Sequence, residues 1–344
     1  MFKKCVSFDD VLLLPRMSDI SSRSEISLSS SLSGIELSLP IISSPMDTVT
    51  ESEMASAMGN LGGLGIIHRY NTISEQASIV REVASLGSLN IGAAIGVSDD
   101  FLERAQELVR SGANVLCIDV AHGHHTMVRY ALQVLRNTFG TDIHIMAGNV
   151  ATKDAFEALS DWGASSIRVG IGGGSICSTR IQTGHGMPTL QSVIECSEIS
   201  DQRDVPIIAD GGIKTSGDIV KAIAAGADFV MLGSLLSGTL ESPGEKIFRD
   251  GHAYKEYRGM ASMRAQMKWR GRVSSREGVS AMVPLKGEVE NIVKELEAGI
   301  RSGLSYSGAR TIREFQARAD FIIQTGAGIV ESNTHVLSKG IALK

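Results

Sequence analysis

Eight short apolar runs recur along the chain, at 39–43, 64–68, 89–95, 115–118, 144–147, 167–170, 205–209 and 229–232. Between them the apolar positions fall at helical spacing, which predicts amphipathic helices over 51–61, 73–86, 100–111, 127–139, 153–162, 189–196 and 216–225. Strands too apolar to have a wet face are buried on both sides, as in parallel sheets covered by helices. Eight such β-then-α units predict an α/β chain closed into a (β/α)8 TIM barrel. After the eighth run the periodicity fades from 241 to 288, where an aromatic and charged run at 252–258 is followed by a polar stretch at 268–278. A segment of that length inside a barrel reads as a mobile flap, placed at about 259–285, and a further helix is predicted over 288–301. Residues 326–344 read as a loosely ordered tail, and 1–344 as one domain.

The residues that follow the runs are polar or glycine, and in such barrels they ring one mouth, at the C-terminal ends of the strands. They include Ser44-Pro45-Met46-Asp47, Arg69-Tyr70, Asp119 to His124, Gly148-Asn149, Asp210-Gly211-Gly212 and Gly233-Ser234. Turn-making alone accounts for any one of them. Several together, with Asp, His and Cys among them, point to a site. The sixth unit ends in Gly170-Ile171-Gly172-Gly173-Gly174-Ser175-Ile176-Cys177-Ser178-Thr179-Arg180. Consecutive glycines let backbone amides approach an anion, so this loop, Gly212 and Gly233-Ser234 make a three-sided phosphate cradle. Cys177 beside it reads either as a nucleophile or as a small buried hydrophobe, since thiol reactivity depends on surroundings.

Composition narrows the class. Of 344 residues 43% are hydrophobic, the formal charge is −5 and the isoelectric point about 5.9, which gives no basic surface for nucleic acid. No run approaches the roughly 20 apolar residues of a membrane span, and no signal peptide is apparent. Cys5, Cys117, Cys177 and Cys196 have no paired spacing, which fits reduced thiols and a cytoplasmic protein.

The ordered series Phe8 to Pro15, Ser44 to Thr50, Gly172 to Arg180, Ala209 to Ile213, Met231 to Ser234, Glu241 to Glu245 and Tyr257 to Met260 resembles the IMP dehydrogenase and GMP reductase family, over almost the whole chain. The resemblance implies a barrel, usually a homotetramer, that binds a purine nucleoside monophosphate and attacks its C2 with the loop cysteine, Cys177. It implies that Ser175, Gly212, Gly233, Ser234 and Tyr257 hold the nucleotide's phosphate and Asp210 its ribose, with the base over Met46, and that Ser44, Gly211, Gly259 and Met260 also bind the substrate. It places a nicotinamide cofactor near Ser22, Arg23, Arg69, Asp119, Val120, Ala121, Ile171 and Gly172. A monovalent cation, K+, would lie on the carbonyls of Gly172, Gly174, Cys177 and Arg180. His122, His124 and His125 read as cofactor contacts rather than metal ligands.

Both activities share the covalent step. In the dehydrogenase hydride leaves for NAD and water hydrolyses the adduct, with an Arg-Tyr pair in the flap activating the water. Here residues 263–278 hold arginines but no Arg-Tyr. Thr179 and Glu277 match the reductase pair that protonates departing ammonia, Ser22-Arg23 resembles the segment that holds the NADPH 2′-phosphate, and Thr183-Gly184 is similar to the reductase pattern. The tandem regulatory modules of most dehydrogenases are missing between Tyr70 and Val150. Against these, 121–124, 209–213 and 326–332 look like the dehydrogenase, Gly173 replaces a usual proline, and Arg276 directly precedes Glu277. The reading is therefore NADPH-dependent GMP reductase. The alternatives are an IMP dehydrogenase without regulatory modules and a nucleotide-binding barrel without turnover.

Overall fold

In a computed structural model, which describes residues 2–98, 100–274, 276–332 and 334, the eight apolar runs form one closed parallel barrel. Its strands are β1 (Ile41–Ser43), β2 (Leu64–Ile67), β3 (Gly92–Ile95), β4 (Val115–Asp119), β5 (His144–Val150), β6 (Ser166–Val169), β7 (Ile207–Asp210) and β8 (Phe229–Leu232). Pairing of Val230 with Ile41 and Leu232 with Ser43 closes it. The run expected from 89 starts only at Gly92. Leu89 is exposed, and Asn114 ties down the Ile91 N–H from outside the ladder at 2.8 Å.

The helices pack outside. Thr72 with Glu75 and Thr215 with Asp218 form reciprocal caps at the starts of Ile73–Ser85 and Ser216–Ala224. The helix expected over 189–196 runs on to Arg203. Its polar second half looks like loop, yet Ile199 continues the buried row of Leu190, Val193 and Cys196.

Two cores result. One lies between barrel and helices. The other fills the barrel with Ile42, Leu64, Val115, Met146, Phe229 and their neighbours, and a hairpin of Ser30–Leu32 and Ile35–Leu37 caps it by adding Leu32 and Leu37. His144, on β5, is buried, and that burial, helped by the nearby Arg136 charge, pushes its imidazole down to about 3. It stays neutral in the fold, while the unfolded chain takes up a proton near pH 6.5. Stability present above that pH is therefore lost as pH falls, by about 2 kcal/mol on reaching about pH 5. Unfolding midpoints across this interval are expected to fall, with a shallower slope in His144→Gln.

The segment expected to be aperiodic is ordered. It folds as a three-stranded antiparallel sheet, Ile247–Arg249, His252–Arg258 and Ser280–Pro284, with a helix Met263–Arg270 capped by Ser262. The outer strands bury almost nothing, so the alternation that marks a half-buried strand is absent from the sequence. Before the tail, Phe321–Ile323 pairs with Val11–Leu13, and at its start Thr325 caps a short helix Gly326–Glu331. Residue 333 and residues 335–344 of the expected loose tail lie outside the described residues. Among the described residues no helix is long and apolar enough to cross a membrane.

Candidate active site

A cavity of about 380 Å3 opens at the C-terminal ends of the strands, the size of a small-ligand site. The loops after β1 and β8 form one wall. A Cβ on Gly233 would lie 3.1 Å from Ser44 Oγ and from Tyr257 Oη and 3.2 Å from Met46 Sδ, so a side chain there would have to push these groups back by a few tenths of an ångström. Ser44 Oγ is buried there without a hydrogen-bond partner. Burial pushes the Tyr257 phenol up to about 12, with a hydrogen bond to Ser175 opposing it, so the ring is neutral. Arg258 pairs with Asp47, its backbone N–H donates to Thr48 Oγ1 at 3.2 Å, and Met260 Sδ accepts from Asp47 N–H at 3.4 Å. The start of the flap is thereby locked to the first loop.

The glycine loop forms the opposite wall. Gly170 has φ +147°, and a Cβ on it would come within 1.9 Å of the Asp210 carbonyl oxygen. Gly170→Ala is expected to cost about 3 kcal/mol and to displace Asp210, read as a lower unfolding midpoint with weakened nucleotide binding. The Phe8 ring backs Gly212, which explains the N-terminal motif, and Lys221 Nζ fixes the Phe8 carbonyl at 2.8 Å.

Cys177 is half-buried and faces the cavity, whereas Cys117 and Cys196 are core thiols that burial pushes up to about 11 and about 12. Cys117 and Cys196 are thus the small buried hydrophobes, and Cys177 differs from them in lining the cavity. The Cys177 thiol donates to Thr179 Oγ1 at 3.2 Å, and the Thr179 hydroxyl donates to Glu277 Oε2 at 2.9 Å. Glu277 stands there because the flap is stitched to the loop: Ser178 N–H donates to the Glu277 carbonyl at 3.0 Å and Val279 N–H to the Ile176 carbonyl at 3.0 Å.

Arg168 escaped the sequence reading. It is a guanidinium 6% exposed, inside the mouth on β6, with Nη1 2.8 Å from Asp119 Oδ1 and Nη2 2.9 Å from Asp210 Oδ2. Burial alone would lower its affinity for a proton, but Cys117, Asp210 and Asp119 outweigh that and hold it charged. Asn149 Nδ2 adds 2.8 Å bonds to Asp210 Oδ2 and to the Gly170 carbonyl. The signal available was one arginine in the apolar run Ile167-Arg168-Val169.

Of the other expected residues, Arg69, Asp119, Val120, Ala121, Ile171, Gly172, Gly174, Gly211, Gly212, Ser234 and Gly259 line this cavity. Ser22 and Arg23 do not. They start a short 3-10 turn on the outside, where Arg23 donates to Ser302 Oγ at 3.2 Å. Arg180 also points away, its guanidinium on the Ile171 and Met187 carbonyls. His125 caps the helix Thr126–Phe139, and the His124 ring lies 5.8 Å from that of Trp162.

Residues 5–335 match the IMP dehydrogenase / GMP reductase domain. The chain belongs to the IMP dehydrogenase / GMP reductase family. An inosine-5′-monophosphate dehydrogenase of Nitrosopumilus maritimus is 36% identical, over 97% of this chain and 98% of that one. A GMP reductase of Leishmania major is 33% identical, over 97% of each. These alignments run over 470 and 478 positions against the 344 residues here, so both relatives carry material this family member lacks. Among solved structures, a cysteine-to-alanine variant of GMP reductase from Trypanosoma brucei in complex with guanosine 5′-monophosphate superposes with TM-score 0.93, at 33% identity over 99% of both chains.

Proposed function

We propose that this chain is a GMP reductase, converting GMP and NADPH to IMP, ammonia and NADP. The observation that carries the reading is the continuous hydrogen-bonded line from Cys177 through Thr179 to Glu277, facing a nucleotide-sized cavity. GMP would lie with its phosphate on Ser175, Gly212, Gly233, Ser234 and Tyr257, its ribose on Asp210 and its base over Met46. Cys177 sulfur bonds to purine C2, and the thiol proton passes to the base. Glu277, through the Thr179 hydroxyl, protonates the 2-amino group, which leaves as ammonia with the electron pair of its C2–N bond. The nicotinamide cofactor, when bound near Asp119 and Ala121, supplies a hydride to C2. Breaking of the C2–S bond then returns the electron pair to Cys177, which takes its proton back from the purine, and frees IMP; Glu277 regains its proton from solvent, the proton that the overall reaction consumes. Arg69 and Asp119 line that side, so the residues present fit a dinucleotide.

Nicotinamide absorbance tests the reading. GMP-dependent loss of NADPH supports it, and steady NADH production from IMP and NAD would replace it with the dehydrogenase. Glu277→Gln is expected to slow GMP turnover by about 10²–10⁴-fold, with GMP affinity within about two-fold by titration. Motifs at 121–124 and 209–213 favour the dehydrogenase as second reading, but the flap lacks its arginine and tyrosine pair. Turnover with neither substrate pair would leave a binding barrel.

The remaining expectations stand as proposals: a single-domain cytoplasmic homotetramer, and K+ on the carbonyls of Gly172, Gly174, Cys177 and Arg180. The carbonyl donor set suits that hard cation. The Gly174 and Arg180 carbonyls each accept one backbone N–H, from Cys177 and Gly184, which leaves a lone pair on each. Ser22 and Arg23, outside the cavity of their own chain, would serve the cofactor only from a neighbouring subunit.

A further inference from the structure

Beside the active-site cavity lies a second one of about 340 Å3, and the two share Arg69. Its lining is of a different character. Arg69, Arg104, Arg270 and Arg272 face it against one carboxylate, Asp100, among the lining residues, with Trp269 beside them. Arg104 is 4% exposed, and Asp100, the Gln76 side chain and the Asn71 carbonyl consume its donors. It forms a floor, not a free hand. Arg270 and Arg272 are exposed, and their side chains make no ion pair or hydrogen bond with a described residue. Like charges gathered around one cavity repel unless an anion joins them, and the fork of a guanidinium matches phosphate oxygens.

The flap brings these arginines there by a specific contact. The Trp269 ring stacks on Tyr70 at 5.9 Å between centroids and 21° between planes, and the Arg104 guanidinium lies 6.0 Å from its centre. The helix Met263–Arg270 ends immediately afterwards at Gly271, in the left-handed conformation, and the turn keeps Arg272 on the same cavity as Arg270. Arg69 reaches across from the loop after β2, its Nη1 3.3 Å from where a Cβ on Gly96 would stand. A side chain at residue 96 would crowd it.

We propose that this arginine cavity binds a phosphate dianion of a nucleotide, and that the nucleotide is the dinucleotide cofactor extending past Arg69 from the active site. The proposal deepens the reductase reading: Arg270 and Arg272 of the chain's own flap add a phosphate grip to whatever Ser22 and Arg23 of a neighbouring subunit supply, and Trp269 presents them. Cofactor binding and flap docking then support each other, because one ligand touches both sides.

The test reads binding, so it stands or falls apart from the turnover assay. In a Trp162→Phe background Trp269 is the remaining tryptophan, and its fluorescence is titrated with adenosine 2′,5′-bisphosphate, 5′-AMP and GTP. Saturable binding of the bisphosphate, weakened about ten-fold or more in Arg270→Gln/Arg272→Gln while GMP binding stays within about two-fold, supports the proposal. Selective weakening of GTP in that variant, with the bisphosphate unaffected, keeps the phosphate site and makes a free nucleoside polyphosphate its occupant. Affinities for both that match the parent protein overturn the proposal, and a preserved GMP affinity shows that the variant is folded.

Discussion

Cys177→Ala is expected to abolish turnover with either substrate pair, by at least about 10³-fold, while GMP or IMP still binds within about three-fold. The loss should be that large because Cys117 and Cys196 are sealed in the core and Cys5 is not among the lining residues, so no other thiol reaches the nucleotide. Thr179 and Glu277 would remain in place, since the flap is held to the loop mainly through backbone groups of Ile176, Ser178, Glu277 and Val279. Isothermal titration for binding and nicotinamide absorbance for rate separate the two effects. An alanine variant retaining a tenth of the parent rate would remove the covalent mechanism.

The second large effect is expected at Arg168. Arg168→Leu keeps the volume and leaves Asp210 without its cation and Asp119 with only the more distant Arg69, at 3.7 Å, at a cost of about 3 kcal/mol. The affected carboxylates are proposed to touch the cofactor and the ribose, so KM should rise for both substrates in a variant that still folds. Arg168→Lys restores the charge but cannot fork between two carboxylates at 2.8 and 2.9 Å, and an intermediate result is expected. Denaturant titration and paired KM measurements check this; a variant with only one KM changed would show that the guanidinium serves a single carboxylate.

Much of this architecture was legible in the sequence because burial on both faces leaves a dense signature. Ile41-Ile42, Leu64 to Ile67 and Phe229 to Leu232 are apolar for one reason, the two cores on either side of the barrel wall. Cys177, Gly212 and Gly233 are legible as strand-end residues, and the structure brings all three to one cavity. Other features depend on partners distant in sequence. Arg168 is interpretable only once Asp119 and Asp210 are known to converge on it, and those lie 49 and 42 positions away. The flap sheet hides because strands exposed on both faces carry no alternation, and the helix Ile312–Arg318 because seven residues are too few to show a period. Arg23 was read from motif likeness, which carries no information on which side of the wall a side chain lies.

The stitching of the flap to the glycine loop ties two requirements into one event. Lifting the flap would break backbone hydrogen bonds flanking Cys177 and withdraw Glu277 from Thr179, so on the reductase reading an open site would also be one without an aligned acid. On the reductase reading, the closed flap would also keep bulk water from purine C2 while the adduct lasts. Partition between reduction and hydrolysis is then a matter of how long that seam outlasts the adduct, and variants that loosen it should leak toward the oxidised purine.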